Sequence, residues 1–262
     1  MSHGIQTMIL CGGQGTRLRE ETEHRPKPMV EIGDRPILWH IMKMYASCGF
    51  TDFIVCLGYK GEQIKEYFLN YEAMRNDFTI ELGKRDTLTF HSDHAENGWR
   101  ITLVDTGIET MTGARIKRAS RYLTGDRFMV TYGDGVADID ARTLVAFHAA
   151  RGTLGTVTGV RPSSRFGELL TSGERVVQFS EKPRTHEGLI NGGFFVFERG
   201  VLDYLTDAPG CVLEREPLEK LAADGQLSVF QHPGFWQCMD TYRDLQYLTQ
   251  LWDAGAAAWK TW

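Results

Sequence analysis

The sequence predicts an open, mainly parallel α/β sheet flanked by helices. Three observations carry that expectation. Strand-like and helix-like segments alternate through the first half, the strand segments are short unbroken apolar runs, and two glycine-containing turns directly follow such runs. Alternating β and α segments favour parallel strands joined by crossover helices, and a strand buried on both faces reads as a continuous apolar run.

Taken in order, residues 6–11 read as the first strand. Ile37 to Ser47 reads as a helix, because Leu38, Ile41, Met42 and Tyr45 share one face, and Gly49 stops it. Asp52 to Leu57 is a buried strand, and Gly61 to Asn70 a helix with Ile64, Tyr67 and Phe68 at helical spacing. Residues 78–105 break the rhythm with Thr-rich alternation, which predicts an inserted hairpin and a returning strand. A helix from Ala114 to Tyr122 leads into a strand over Arg127 to Tyr132, and Asp140 caps a helix over 141–150. The second half is richer in strands: Arg175 to Ser180 and Ile190 to Glu198, with Thr171-Ser172-Gly173 as a turn. Glu214 to Ala223 and Tyr242 to Trp252 read as helices. With no linker, repeat or low-complexity tract, residues 1–262 read as one domain. Its first half runs to about residue 150, and a β-rich extension covers about 151–262.

A hydrophobic share of 42% with 24% charged residues is that of a globular chain with a sizeable core. The formal charge of −5 draws it to neither nucleic acid nor an anionic membrane. No run reaches the eighteen or so apolar residues of a membrane span, and Met1-Ser2-His3-Gly4 lacks the basic and apolar regions of a secretory signal, so a cytoplasmic location is expected. Five cysteines (Cys11, Cys48, Cys56, Cys211, Cys238) with no C-x-x-C pair are expected to be reduced and mostly buried. Eight scattered histidines offer no zinc-site pattern.

The stretch with the most chemistry is Gly12-Gly13-Gln14-Gly15-Thr16-Arg17, between the first strand and Pro26-Lys27-Pro28-Met29. Glycines let a backbone bend tightly and approach a ligand closely. Arg17 and Lys27 add two cations beside a loop whose N–H groups can face an anion. The combination fits a polyphosphate. It is not a dinucleotide fingerprint, because the series from Gly13 ends on Leu18, and no P-loop string occurs. Ligands on open α/β sheets sit beyond the carboxyl ends of the strands, where both this loop and Gly133-Asp134 fall. Taken singly, several candidates also have plain readings: Asp134 as an Asp-Gly turn, Asp240 as a helix cap, Lys27 as a solvated lysine. Likewise Lys182 reads as a turn residue before Pro183, and Arg115 as an exposed cation at a helix start. Phe194, Phe195 and Phe197 read as core.

Five ordered blocks, running from about residue 8 to the C-terminus, resemble the sugar-1-phosphate nucleotidylyltransferases. They are Gly12 to Leu18 with Lys27-Pro28-Met29-Val30, Glu31-Ile32-Gly33 with Pro36 to His40, Tyr132 to Asp138, Asn191 to Val196, and Phe235 to Thr241. The resemblance implies a Rossmann-like nucleotide-diphospho-sugar transferase fold, with a nucleotide-binding first half and a sugar-phosphate-binding second half. It implies Mg²⁺ on Asp134 and Asp240, and catalytic roles for Arg17, Lys27 and Asp134. Leu10, Cys11, Gly12, Gly13, Gln14, Gly15, Thr16, Arg17, Lys27, Thr110, Arg115 and Gly133 fall to the nucleotide. Glu181, Lys182, Asn191, Gly192 and Glu216 fall to the sugar phosphate. Cys11 stands where many relatives carry alanine, an equally small residue. The implied substrates are CTP and α-D-glucose 1-phosphate, in a homo-oligomeric enzyme. Spacing alone leaves open UTP or dTTP, another sugar 1-phosphate, or a binding protein without turnover.

Overall fold

The computed structural model describes residues 4–83, 87–161, 168–172, 175–180 and 188–262. The chain begins with β1 (Gln6–Cys11), α1 (Arg19–Thr22), β2 (Glu31–Ile32), β3 (Arg35–Pro36), α2 (Ile37–Ser47), β4 (Asp52–Leu57), α3 (Gly61–Leu69) and α4 (Tyr71–Arg75). It continues with β5 (Phe78–Ile80), β6 (Leu88–Phe90), β7 (Arg100–Asp105), α5 (Thr112–Ala119), β8 (Arg127–Tyr132), β9 (Gly135–Ala137), α6 (Ala141–Arg151) and β10 (Gly155–Val160). The last elements are β11 (Glu168–Ser172), β12 (Arg175–Ser180), β13 (Ile190–Glu198), α7 (Glu216–Ala223), β14 (Leu227–His232), β15 (Trp236–Cys238) and α8 (Tyr242–Asp253).

A seven-stranded sheet in the order β14-β10-β13-β8-β1-β4-β7 organises the molecule. β8, β1, β4 and β7 pair in parallel, as do β10 and β14, while β13 runs antiparallel between β8 and β10. The expected mainly parallel sheet is therefore present, and three strands of the second half belong to it. The reversed strand has a consequence for function. Because β13 opposes β8, with Phe194 opposite Thr131, its first residues lie at the edge where the parallel strands end.

Two apolar layers cover the sheet. One buries Ile9, Phe53, Val55, Met129 and Phe194 against α2 and the C-terminal segment; the other buries Met8, Ile54, Val130, Phe195 and Phe197 against α5 and α7. Alternate residues of each strand thus face opposite layers, as the pleat requires. Trp252, Trp259 and Trp262 gather around His40 and close the first layer, with Trp259 fully buried. Phe194, Phe195 and Phe197 are core, as read from the sequence.

The inserted hairpin is β5–β6. It pairs Phe78 with Phe90 and Ile80 with Leu88, and all four side chains are exposed. Two expectations need correction. Thr171 and Ser172 are not a turn but the end of β11, paired with Val176 and Arg175; the connection at 173–174 lies outside the described residues. Of the five free cysteines only Cys11 and Cys56 are buried, the others being half-buried. Among the described residues no helix is long and apolar enough to cross a membrane.

Candidate active site

The loop after β1 is built around Arg115. Far from the exposed cation read from sequence, this side chain is buried. Its Nη1 donates to the Leu57 carbonyl (3.0 Å), Thr106 Oγ1 (2.8 Å) and the Gly107 carbonyl (2.7 Å). Its Nη2 donates to the carbonyls of Gly12 (3.0 Å) and Ile108 (3.2 Å). A guanidinium committed to five acceptors is a brace for the loops after β1, β4 and β7. It also explains Gly12: a Cβ there would overlap the guanidinium. So the glycine makes room for Arg115. Gly13 faces open space. Gly15 adopts the left-handed conformation at φ 63°, and its carbonyl is held by Leu18 N (2.9 Å) and Thr22 Oγ1 (3.1 Å). Among the described residues none accepts a hydrogen bond from the Gly13 or Gln14 amide, which leaves those N–H groups for an anion.

Lys27 reaches across from the next turn, bracketed by Pro26 and Pro28. Its Nζ donates to Asp134 Oδ2 at 2.6 Å and to Asp240 Oδ1 at 2.7 Å. Arg17 Nη1 meets the other Asp240 oxygen at 3.0 Å. Burial by itself would lower the Lys27 pKa, but Asp134 and then Asp240 outweigh it and raise it. Burial likewise opposes ionisation of Asp240, yet Lys27 and then Arg17 hold its carboxyl below the usual value.

Two local devices bring the aspartates together. β15 pairs antiparallel with β9, setting Cys238 opposite Gly135, and Met239 N donates to the Asp134 carbonyl at 2.8 Å. The residue after Met239 is thereby placed beside Asp134. Asp240 is also relieved of the capping role its position suggested. Thr241 caps α8, in a reciprocal box with Asp244, and the Asp240 carboxylate stays free for Lys27.

These residues open onto one cavity of about 510 Å³. It is lined by Leu10, Cys11, Gly12, Gly13, Gly15, Thr16, Arg17, Lys27, Thr110, Arg115, Gly133, Asp134, Asn191 and Asp240 from the expected set. Thr110 accepts from Arg118 Nη1 at 2.9 Å, and Gly133 N donates to the Leu10 carbonyl at 3.0 Å. Asn191 lies at the start of β13, whose reversed direction delivers it here. Gly192 and the exposed Gln14 flank the lining; the Gly192 carbonyl accepts from Trp236 Nε1 at 2.7 Å. Glu216 is not part of the cavity. It pairs with Lys220 at 2.7 Å and lines a separate hollow beside α7. Glu181 and Lys182 lie outside the described residues.

Tyr132, Thr112 and Trp236 also line the cavity, and sequence reasoning gave them no role. Tyr132 was within reach of it, since it ends the strand that precedes Gly133-Asp134. Asp134 and Asp240 provide hard oxygen donors converging on a single cationic position. That set fits Mg²⁺, which takes one or two carboxylates and fills its shell with phosphate and water. Among the described residues no group of three or more His, Cys, Asp or Glu forms a complete metal cage.

The nucleotidyl transferase family profile matches residues 6–246. A glucose-1-phosphate cytidylyltransferase of Salmonella typhi is 51% identical over 98% of this chain and 100% of its own length. A mannose-1-phosphate guanyltransferase of Neurospora crassa is 30% identical over 94% of this chain and 63% of its own. Among solved structures, HddC from Yersinia pseudotuberculosis superposes with a TM-score of 0.69 at 22% identity, covering 95% of this chain and 100% of that one.

Proposed function

This chain belongs to the nucleotidyl transferase family, and from that premise we propose how its residues divide the work on two substrates. The reaction is transfer of the cytidylyl group from CTP to glucose 1-phosphate, releasing pyrophosphate. Relatives named for that activity share about half its residues over nearly the whole chain. The observation that carries the site assignment is the meeting of the glycine loop, Lys27, Asp134 and Asp240 in one cavity.

A phosphate oxygen of glucose 1-phosphate attacks the α-phosphorus of CTP. The new P–O bond forms as the bond from that phosphorus to the bridging oxygen breaks, and pyrophosphate leaves with the electron pair. A phosphate monoester has a second pKa of about 6, so it attacks as the dianion near neutral pH and needs no general base. The protein's task is positioning and charge stabilisation. Amides of the glycine loop hold the triphosphate. Arg17 and Lys27 stabilise the departing β- and γ-phosphates, Arg17 through its planar fork and Lys27 as a point charge. Arg115 holds the loop rather than the ligand. Asn191 and Gly192 meet the sugar, and Lys182 takes the attacking phosphate. Asp134 and Asp240 would hold Mg²⁺, which would supply neutralisation of phosphate charge. The assembly is a homo-oligomer.

The test is pyrophosphate release from CTP, UTP, dTTP, ATP and GTP against several sugar 1-phosphates. Turnover highest with CTP and glucose 1-phosphate is expected. Preference for another pair would move the specificity while keeping the chemistry, and no release with any pair would remove the reading.

A further inference from the structure

On the sugar side of the cavity, four side chains form a hydrogen-bond chain whose direction is fixed at one end. Glu214 is exposed at the rim, just before α7. One of its carboxylate oxygens accepts the Tyr132 hydroxyl hydrogen; the other accepts from Thr112 Oγ1 at 2.6 Å. A carboxylate can only accept, so the Tyr132 hydrogen is committed to Glu214. The phenolic oxygen is then left to accept, and Asn191 Nδ2 donates to it at 3.1 Å. Asn191 Oδ1 in turn accepts from Gly193 N at 2.8 Å.

We propose that Glu214 is a positioning residue for the sugar phosphate: by fixing the direction of the Tyr132 hydroxyl, it holds the Asn191 amide in one orientation at the cavity wall. The proposal deepens the functional reading above and rests on it for the identity of the ligand. An amide side chain has two orientations that differ only in which end donates. With Glu214 ionised, one is excluded at the tyrosine end, because an Asn191 oxygen turned toward Tyr132 would find no hydrogen there, and the Gly193 N–H, which can only donate, favours the same orientation from the other end. The remaining N–H of Asn191 and a free lone pair on its oxygen then present a set donor and acceptor to sugar hydroxyls. Thr112 Oγ1 also accepts from Leu213 N at 2.9 Å, which ties the carboxylate to the start of α5. The role that sequence assigned to Glu216 thus passes to the acid two residues earlier, acting through a tyrosine instead of touching ligand.

Glu214→Gln tests this. A glutamine can offer its NH₂ to Tyr132, which frees the hydroxyl to reverse. The KM for glucose 1-phosphate is expected to rise about tenfold, the worth of roughly one hydrogen bond, with KM for CTP and kcat within about twofold. Tyr132→Phe is expected to give the same split, and the double variant to be no worse than the weaker single one, because both break one chain. Equal rises in both KM values, no rise in that for glucose 1-phosphate, or additive losses would overturn the proposal. A readout free of turnover is the ¹⁵N–¹H signal pair of the Asn191 side-chain amide, assigned with Asn191→Ser. Its shift in Glu214→Gln is expected, and an unmoved signal pair overturns the proposal. Because that signal needs no substrate, it decides the matter even if the wild-type protein released no pyrophosphate.

Discussion

Replacing Lys27 with methionine keeps most of the side chain's volume and removes its charge. The structure sets the size of the effect. Lys27, Asp240 and Asp134 have side chains only 12%, 16% and 27% exposed, so water screens the cluster weakly. Two charge-assisted hydrogen bonds are lost, each worth about 1.5–3 kcal/mol. The two carboxylates then face one another at no more than about 5 Å, a repulsion of roughly 3 kcal/mol at an effective dielectric constant of 20. Relief from burying an ammonium offsets part of this. A net loss of about 2–3 kcal/mol at pH 7.5 is expected, lowering the melting temperature by about 4–10 °C for a chain of this size. The pH dependence carries the sign. In the wild type Asp240 is held below its usual value, so its contribution is present above about pH 4 and is lost as pH falls through the depressed value. In the variant the carboxylate pair repels, and acidification from pH 7.5 to 5 is expected to recover stability by protonating one member. Urea unfolding at the two pH values measures both effects. Turnover should fall about 10²–10³-fold, as for loss of one preorganised contact to a charged transition state. A variant as stable as the wild type at pH 7.5, unaffected by acidification and active to within a few fold, would refute the reasoning.

Two further outcomes follow from packing and burial. Gly12→Ala should displace the Arg115 guanidinium and lower stability by about 3 kcal/mol or more, whereas Gly13→Ala, facing open space, should fold normally; equal melting temperatures for the two variants would contradict the bracing role of Arg115. His40 is fully buried, and burial lowers its pKa to about 4 from 6.5. It accepts from Trp259 Nε1 and meets the Ile32 carbonyl through Nε2, which fits the neutral ring. The unfolded chain therefore gains a proton below pH 6.5 that the folded chain refuses. Stability should drop by about 3 kcal/mol between pH 7 and 4 on this account, and His40→Gln should flatten that slope in urea titrations; parallel slopes would rule it out.

The strands and helices that position the site were legible from periodicity and punctuation. β1, α2, β4 and β8 fall where unbroken apolar runs and one-faced apolar spacing placed them. Gly13 and Gly15 line the cavity beyond β1, and Lys27 was singled out by its flanking prolines. Residues whose roles depend on distant partners behaved differently. Arg115 looked exposed because nothing near it in sequence announces the five acceptors it meets, which come from the ends of three separate strands. Asp240 resembled a helix cap because the competing box of Thr241 and Asp244 is settled only when both side chains turn inward. Glu216 was named through the resemblance, and nothing local showed that it pairs along its own helix with Lys220 while Glu214, two residues earlier, meets Tyr132 and Thr112.

By itself, then, the sequence determined the alternation of elements, the glycine loop and the kinds of charged group available to the cavity, because each is set by local backbone freedom and side-chain chemistry. Only the tertiary structure decided which charges meet. The antiparallel insertion of β13 delivered Asn191 to the edge, and the pairing of β15 with β9 set Asp240 beside Asp134. Strand register is fixed by cross-strand hydrogen bonds between segments far apart in the chain, and no local pattern encodes it.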